Sequence, residues 1–287
     1  MVRADRLRHV LRLGLFAVLA ATMLFPSWLM VANSLSPAKA FIRNPPSLLP
    51  YAFTLDNYKR ALTMRGSGQG PVSSYPILPR WILNTLILTA VLVVSGVIVN
   101  GAAGYAFCFA RPRWLKAVFW AFMAPIFVTR YVLLISQFII VGKLHLSGMA
   151  AVVSMSILWS TGIFLFRQYF KSIPVSLLES ARIDGASEWT ILTRIVLPLS
   201  KPMIGAAIVF LGMGALGDFL WQMLNLQTPE SQTFIVGLIM SSINVYVVKN
   251  IGYDLTVGTL LFLPYLALFA FSSRYFIGGL TGGALKE

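Results

Sequence analysis

The chain has 287 residues, of which 57% are apolar and only 11% charged, against roughly 45–50% and 25% in soluble domains. With a mean hydropathy of +0.79 there is too little polar surface to clothe a water-soluble globule, which excludes a soluble enzyme, a disordered chain and a coiled coil and leaves an integral membrane protein. Lys and Arg outnumber Asp and Glu by 23 to 9, a formal charge of +14, but the basic residues gather at the ends of apolar runs, where they act as orientation signals and contacts for anionic membrane lipid.

In chain order, six apolar runs reach the length of about 20 residues that a spanning helix needs: 13–31, 82–109, 118–141, 146–166, 203–224 and 255–276. The first follows Arg3, Arg6, Arg8 and Arg12 and precedes Ala38-Lys39-Ala40, as in a cleaved signal peptide. Its apolar run is longer than the usual signal core of about 7–15 residues, so it reads as a span. The segment 36–80 is rich in proline and contains Gly66-Ser67-Gly68-Gln69-Gly70, which reads as an external loop with a few short ordered pieces. Residues 234–248 are apolar but too short for a crossing and suit a re-entrant or surface helix.

Basic residues set the orientation. The N-terminal arm, the loop 110–117 (Arg111, Arg113, Lys116) and the segment 167–201 (Arg167, Lys171, Arg182, Arg194, Lys201) fall on one side of a six-span arrangement. That side is expected to be the cytoplasm, with both termini inside.

Between spans four and five the chain is heavily punctuated. Pro174 followed by Ser176-Leu177-Leu178-Glu179 has the form of a capping box, predicting a short helix from Ser176. Gly185 suits the left-handed position that closes such a helix, and Ser187 suits the cap of a second one, running through Trp189, Leu192 and Ile195 until Pro198 and Pro202 restrict it. A helix-turn-helix on the cytoplasmic face, feeding into span five, is the expectation.

Here the residues resemble a known family. Glu179-Ser180-Ala181, Gly185 six residues after the glutamate, and Ile195-Val196-Leu197-Pro198 are similar to the EAA motif of bacterial ABC importer permeases: Glu-Ala-Ala, three residues, Gly, nine residues, Ile-x-Leu-Pro. Only Ser180 departs from the pattern. The ending from Arg274 to Lys286, Thr54-Leu55-Asp56-Asn57-Tyr58 and Gly104-Tyr105-Ala106-Phe107 resemble elements of the branch typified by maltose and glycerol-phosphate importers. Asp218-Phe219-Leu220-Trp221 is similar to the family's Trp-Asn-acid-Phe stretch, with Leu216 and Gly217 in place of Trp and Asn.

The resemblance implies an all-α integral membrane protein with six transmembrane helices and the type I ABC importer permease fold. It would form a single transmembrane domain over 1–287, with a permease core at about 81–277, an external loop at 36–80 and a cytoplasmic coupling loop at 174–200. Glu179, Ala181, Asp184, Gly185, Ala186, Ile195, Leu197 and Pro198 would couple the chain to a dimeric cytoplasmic ATPase. ATP and magnesium would be held by that ATPase and no cofactor by this chain. A second homologous permease and an extracytoplasmic solute-binding protein would complete an importer of a sugar, oligosaccharide or glycerol-phosphate ester in the bacterial inner membrane.

Within the spans, polar side chains are costly and mark cavities or partners. Arg130 lies twelve residues into span three with Gln137 on its face, and Asp218, Gln222 and Asn225 form a stripe at helical spacing in span five. Two readings stand: a pathway for a hydroxyl-bearing solute (Arg130, Gln137, Asp218, Gln222), or interhelical glue. Asn84 and Asn100 mark span two.

No enzyme chemistry is visible. His9, His145 and the single Cys108 form no metal-ligand cluster, no G-x-x-x-x-G-K-[ST] phosphate loop occurs, and no basic-aromatic patch sits on a polar domain to hold nucleic acid. Two rivals remain: an ion-coupled secondary carrier working through a group such as Asp218, and a membrane scaffold that moves no solute.

Overall fold

The computed structural model describes residues 2–37, 40–41, 45–63, 76–110, 112–244 and 251–283. Lys39, the stretch 66–70, Arg111, residues 245–248 and the tail Ala284-Leu285-Lys286 lie outside the described residues. The helices are α1 (Val2–Ser34), α2 (Asp56–Leu62), α3 (Leu78–Phe109), α4 (Trp114–Met123), α5 (Arg130–Lys143), α6 (Gly148–Ser156) and α7 (Ser160–Phe170), then α8 (Val175–Ile183), α9 (Glu188–Ile191), α10 (Leu197–Leu199), α11 (Lys201–Gly217), α12 (Phe219–Asn225), α13 (Phe234–Asn244) and α14 (Ile251–Gly283). No strand occurs among the described residues.

Three stretches are unbroken and long and apolar enough to cross a bilayer: Leu11–Ser34, Leu78–Phe109 and Ile251–Ala270. Three further candidates are bent pairs, so the number of spans is up to six if each pair counts once. The uninterrupted runs expected for spans three, four and five are therefore corrected. Span three turns by 115° between Phe127 and Arg130. Pro125 opens a 3-10 turn and cannot donate to the carbonyl a turn earlier, while Val128 and Thr129 are extended. Arg130 thus begins a helix instead of sitting deep within one. Span four bends by 44° between Ser156 and Ser160. Ahead of span five the chain turns by 83° at Ser200, and the span itself is interrupted at Asp218 (φ −82°, ψ 70°).

The chain divides into two compact units, residues 1–79 with 237–263, and residues 80–236 with 264–287. In the first unit the carbonyl end of α1, which has no helical partners of its own, is satisfied from elsewhere. Asn57 donates to the Ser34 and Ser36 carbonyls at 3.2 and 2.9 Å, and the Thr256 hydroxyl donates to Ser34 at 3.1 Å. The Asn57-Tyr58 element therefore has a structural role: Tyr58 also shares a 2.7 Å hydrogen bond with the Ser34 hydroxyl. Fully buried Asn33 donates to the Ser47 carbonyl at 2.6 Å and accepts from its amide at 3.0 Å, fastening the segment around Ser47 to α1.

In the second unit α3 is the central strut. At one end the Trp81 indole donates to the Pro229 carbonyl at 2.7 Å and Asn84 donates to the carbonyls of Glu230 and Gln232 at 2.8 Å each. In its middle, fully buried Asn100 donates to the Ile157 carbonyl at 3.0 Å and accepts from the Trp159 amide at 2.9 Å. One carboxamide thus replaces the backbone partners lost where α6 stops and α7 starts. Towards the other end a Cβ on Gly104 would lie 2.7 Å from that of Phe166, so only glycine lets α3 and α7 approach this closely.

Candidate functional site

Two places gather the residues singled out from the sequence. The first is the helix pair α8–α9. Pro174 occupies the cap position and α8 starts at Val175, one residue before the predicted start, with no side-chain cap hydrogen bond. The expected capping box of Ser176 and Glu179 is therefore not formed. Ser176 is already inside the helix, its carbonyl accepting from the Ser180 hydroxyl at 2.9 Å. Glu179 is exposed, with no side-chain hydrogen bond or ion pair among the described residues.

The far end of α8 agrees with the sequence reading. Gly185 has φ +81°, its amide donates to the Arg182 carbonyl at 3.1 Å, and the Ala186 amide donates to the Ala181 carbonyl at 2.9 Å. That pair of bonds is the Schellman closure, and it requires the left-handed residue that glycine supplies. Asp184 is exposed just before the turn, and Ala181 and Ala186 both pack on the buried apolar cluster below. Ser187 caps α9, its hydroxyl oxygen accepting from the Thr190 amide at 3.2 Å.

Beyond α9 the backbone widens into a π-helical turn over Leu192–Val196, closed by the Leu197 amide on the Leu192 carbonyl. Pro198 then lacks an amide hydrogen, α10 lasts one turn, and the chain bends at buried Ser200 into α11. Ile195 and Leu197 pack on the same cluster, which contains Tyr105, Phe166, Phe170, Leu178, Ile191 and Val196. Pro198 is exposed. The seam therefore fuses α8–α10 with the ends of α3, α7 and α11.

A residue not singled out from the sequence completes this region. Glu188 accepts hydrogen bonds from Arg182 Nε at 2.8 Å and Nη2 at 3.3 Å and from the Tyr105 hydroxyl. The bonds to Glu188 hold the Arg182 guanidinium above its ordinary pKa. Arg182 and Glu188 stand six residues apart across a glycine turn, a spacing with no helical period to betray it.

The second place is a cavity of about 280 Å³ bounded by α5, α7 and α11 and the breaks beside them. Arg130, Gln137, Ser156, Trp159, Phe210 and Asp218 line it. Arg130 Nη2 meets Asp218 Oδ2 at 2.5 Å and reaches the Ser156 hydroxyl at 3.5 Å. The Arg130 side chain is 49% exposed and that of Asp218 14%, so the pair presents its cationic partner to the opening. The Trp159 and Phe210 rings lie 5.9 Å apart, tilted by 45°.

Arg130, Gln137 and Asp218 are thus brought together, and Gln222 is not. Gln222 is fully buried, donates to the Ala215 carbonyl at 2.6 Å and accepts from the Thr233 hydroxyl. Asn225 donates back to Trp221 in its own helix. The expected single stripe of Asp218, Gln222 and Asn225 is broken because Asp218 is the joint between two helices. No group of three or more metal-ligating side chains occurs among the described residues.

Residues 102–280 match the family described as binding-protein-dependent transport system inner membrane component. The chain belongs to that family, and it is a permease of the ABC importer class, a multi-pass membrane protein. The match begins on α3 and takes in both places described above. Among its relatives, the arabinooligosaccharides transport system permease protein AraQ of Bacillus subtilis is 30% identical over 94% of this chain and 93% of its own length. The sn-glycerol-3-phosphate transport system permease protein UgpE of Rhizobium meliloti is 29% identical over 88% of each chain. A bacterial ABC transporter involved in the import of the acidic polysaccharide alginate shares the fold, with a TM-score of 0.78 at 21% identity over 96% of this chain and 98% of that one. The MetNI methionine ABC transporter aligns over 69% of this chain and 94% of its own, with a TM-score of 0.51 at 19% identity.

Proposed function

We propose that this permease carries an uncharged sugar or oligosaccharide into the cytoplasm by alternating access, driven by a separate dimeric ATPase. The observation that carries the coupling half of this reading is the α8–α9 turn at Gly185, which leads through the 83° bend into α11. Its outer surface exposes large apolar side chains that a solvated turn would bury, Ile183 at 87% and Trp189 at 64%, beside the unpaired carboxylate of Glu179. Such a surface suits a groove with a basic rim. Glu179, Ala181, Asp184, Gly185 and Ala186 would dock, and Ile195, Leu197 and Pro198 would transmit the movement. ATP and magnesium belong to the ATPase; this chain supplies the lever.

Within the membrane domain, taken as one domain with a core at about 81–277, six spans would leave both termini in the cytoplasm, since the basic loops then face inward. A second homologous permease would complete the passage. The external segments 36–80 and 227–254 would meet the solute-binding protein. Arg130, Gln137 and Asp218, with the Trp159 and Phe210 rings, would form one wall of the path. The family's relatives include permeases named for arabinooligosaccharides and for sn-glycerol 3-phosphate. Pairing of Arg130 with Asp218 favours the neutral class, because the carboxylate already neutralises the guanidinium and leaves no net positive charge to hold a phosphate.

The test is uptake by proteoliposomes containing the permease pair, the ATPase and the binding protein. Uptake of arabinotriose that requires internal ATP and survives an ionophore is expected. Uptake that ignores ATP and collapses with the ionophore would mean a secondary carrier, and no uptake of either arabinotriose or sn-glycerol 3-phosphate from a complete complex would mean a scaffold.

A further inference from the structure

A second polar cluster, outside the cavity, surrounds Glu188, and neither helix beside it needs that carboxylate for its own formation. Ser187 already caps α9, and the amides of Gly185 and Ala186 already close α8. What the carboxylate does is join three elements. Arg182 comes from α8, Glu188 from α9, and the Tyr105 hydroxyl from α3, 83 residues earlier in the chain. The Tyr105 ring is 8% exposed and tilted against Phe109 at 5.2 Å, so its hydroxyl is aimed by packing.

A lever joined to its load at one bent point can swivel without moving it. Along the chain the α8–α9 pair reaches α11 through a π turn, a one-turn helix and the bend at Ser200, and α7 through residues 171–174, and neither connection reaches α3. A second attachment removes that swivel. The apolar contacts beneath the pair are non-directional and tolerate sliding, whereas hydrogen bonds to an ionised carboxylate fix register.

We propose that Tyr105, Glu188 and Arg182 are positioning residues that make α3, as well as α11, follow the cytoplasmic helix pair, so that one displacement of the turn moves two spans together. The proposal rests on the coupling role given to α8–α9 above. Its consequence is a division of labour: α11 carries Asp218 at its end, and α3 carries Asn100, which holds the break beside Trp159. Both walls of the cavity would then shift in one stroke.

The experiment measures solute moved per ATP hydrolysed in the complete reconstituted complex, with arabinotriose as solute, or sn-glycerol 3-phosphate should the wild type carry that instead. Tyr105→Phe removes only the hydroxyl, and Glu188→Gln keeps the shape but loses the charge that holds Arg182. Each is expected to lower the ratio by about threefold or more, with the ATPase still bound. A purely structural role would lower transport and hydrolysis together and leave the ratio where it was. A wild-type ratio in either variant would overturn the proposal, and Glu188→Gln decides alone if Tyr105→Phe does not assemble. A wild-type complex that moves neither solute with ATP would overturn the importer reading, and this inference with it.

Discussion

Asn100 and Trp159 meet in a single hydrogen bond of 2.9 Å, side-chain oxygen to backbone amide, at the point where one membrane helix stops and the next begins. The same carboxamide donates to the Ile157 carbonyl, so one carbonyl and one amide at the break find their partner on α3. In an apolar surround an unpartnered backbone group is expensive, which makes Asn100 a condition of the bend and not a bystander to it.

Replacing Asn100 by Leu is therefore expected to destabilise the detergent-solubilised permease by about 1–3 kcal/mol, since two buried backbone groups lose their partner. The measurement is the thermal unfolding midpoint. An unchanged midpoint would mean that water or another side chain fills the same role.

Gly185 at φ +81° has open space around its Cβ position, so a substitution there is penalised by backbone conformation and not by crowding. Gly185→Val should cost about 1–2 kcal/mol at the turn while leaving the protein inserted. The amount of ATPase retained on the tagged permease should fall, with uptake. Wild-type retention together with wild-type uptake would refute docking at this turn.

Two glycines on α3 separate close packing from mere presence. At Gly104 a Cβ would meet Phe166 Cβ at 2.7 Å and the Arg167 backbone nitrogen at 3.1 Å, whereas at Gly101 nothing comes nearer than 3.7 Å. Gly104→Ala should cost about 1–3 kcal/mol through forced separation of α3 and α7. Gly101→Ala should be neutral or slightly stabilising in the same melting assay, because the helix gains a better former.

Asp218→Asn leaves Arg130 without its counter-charge in the cavity wall. The variant is expected to shift preference toward anionic solutes, raising sn-glycerol 3-phosphate uptake relative to arabinotriose by about tenfold. The pair is half open to the cavity on the Arg130 side, so the loss of fold stability should be small beside this change. An unaltered ratio of the two uptakes would remove the pair from the solute's path.

The apolar runs, the turn at Gly185, the cap at Ser187 and the stop near Pro198 are all legible in the order of residues, because each is a local matter. A run of twenty apolar residues, a glycine where φ must be positive and a proline without an amide hydrogen act within a turn or two of themselves. The capping box fails for an equally local reason: Pro174 takes the cap position and puts Ser176 inside the helix.

Sequence by itself determined the class of protein and the runs long and apolar enough to cross a membrane, since the composition admits no soluble alternative and helix-forming runs need no distant help. Only the tertiary structure decided where those runs break and which polar groups meet. Arg130 finds Asp218 across 88 residues, Tyr105 finds Glu188 across 83, and Asn100 finds Trp159 across 59. Such pairings depend on which helix faces which, and no periodicity along one segment carries that information.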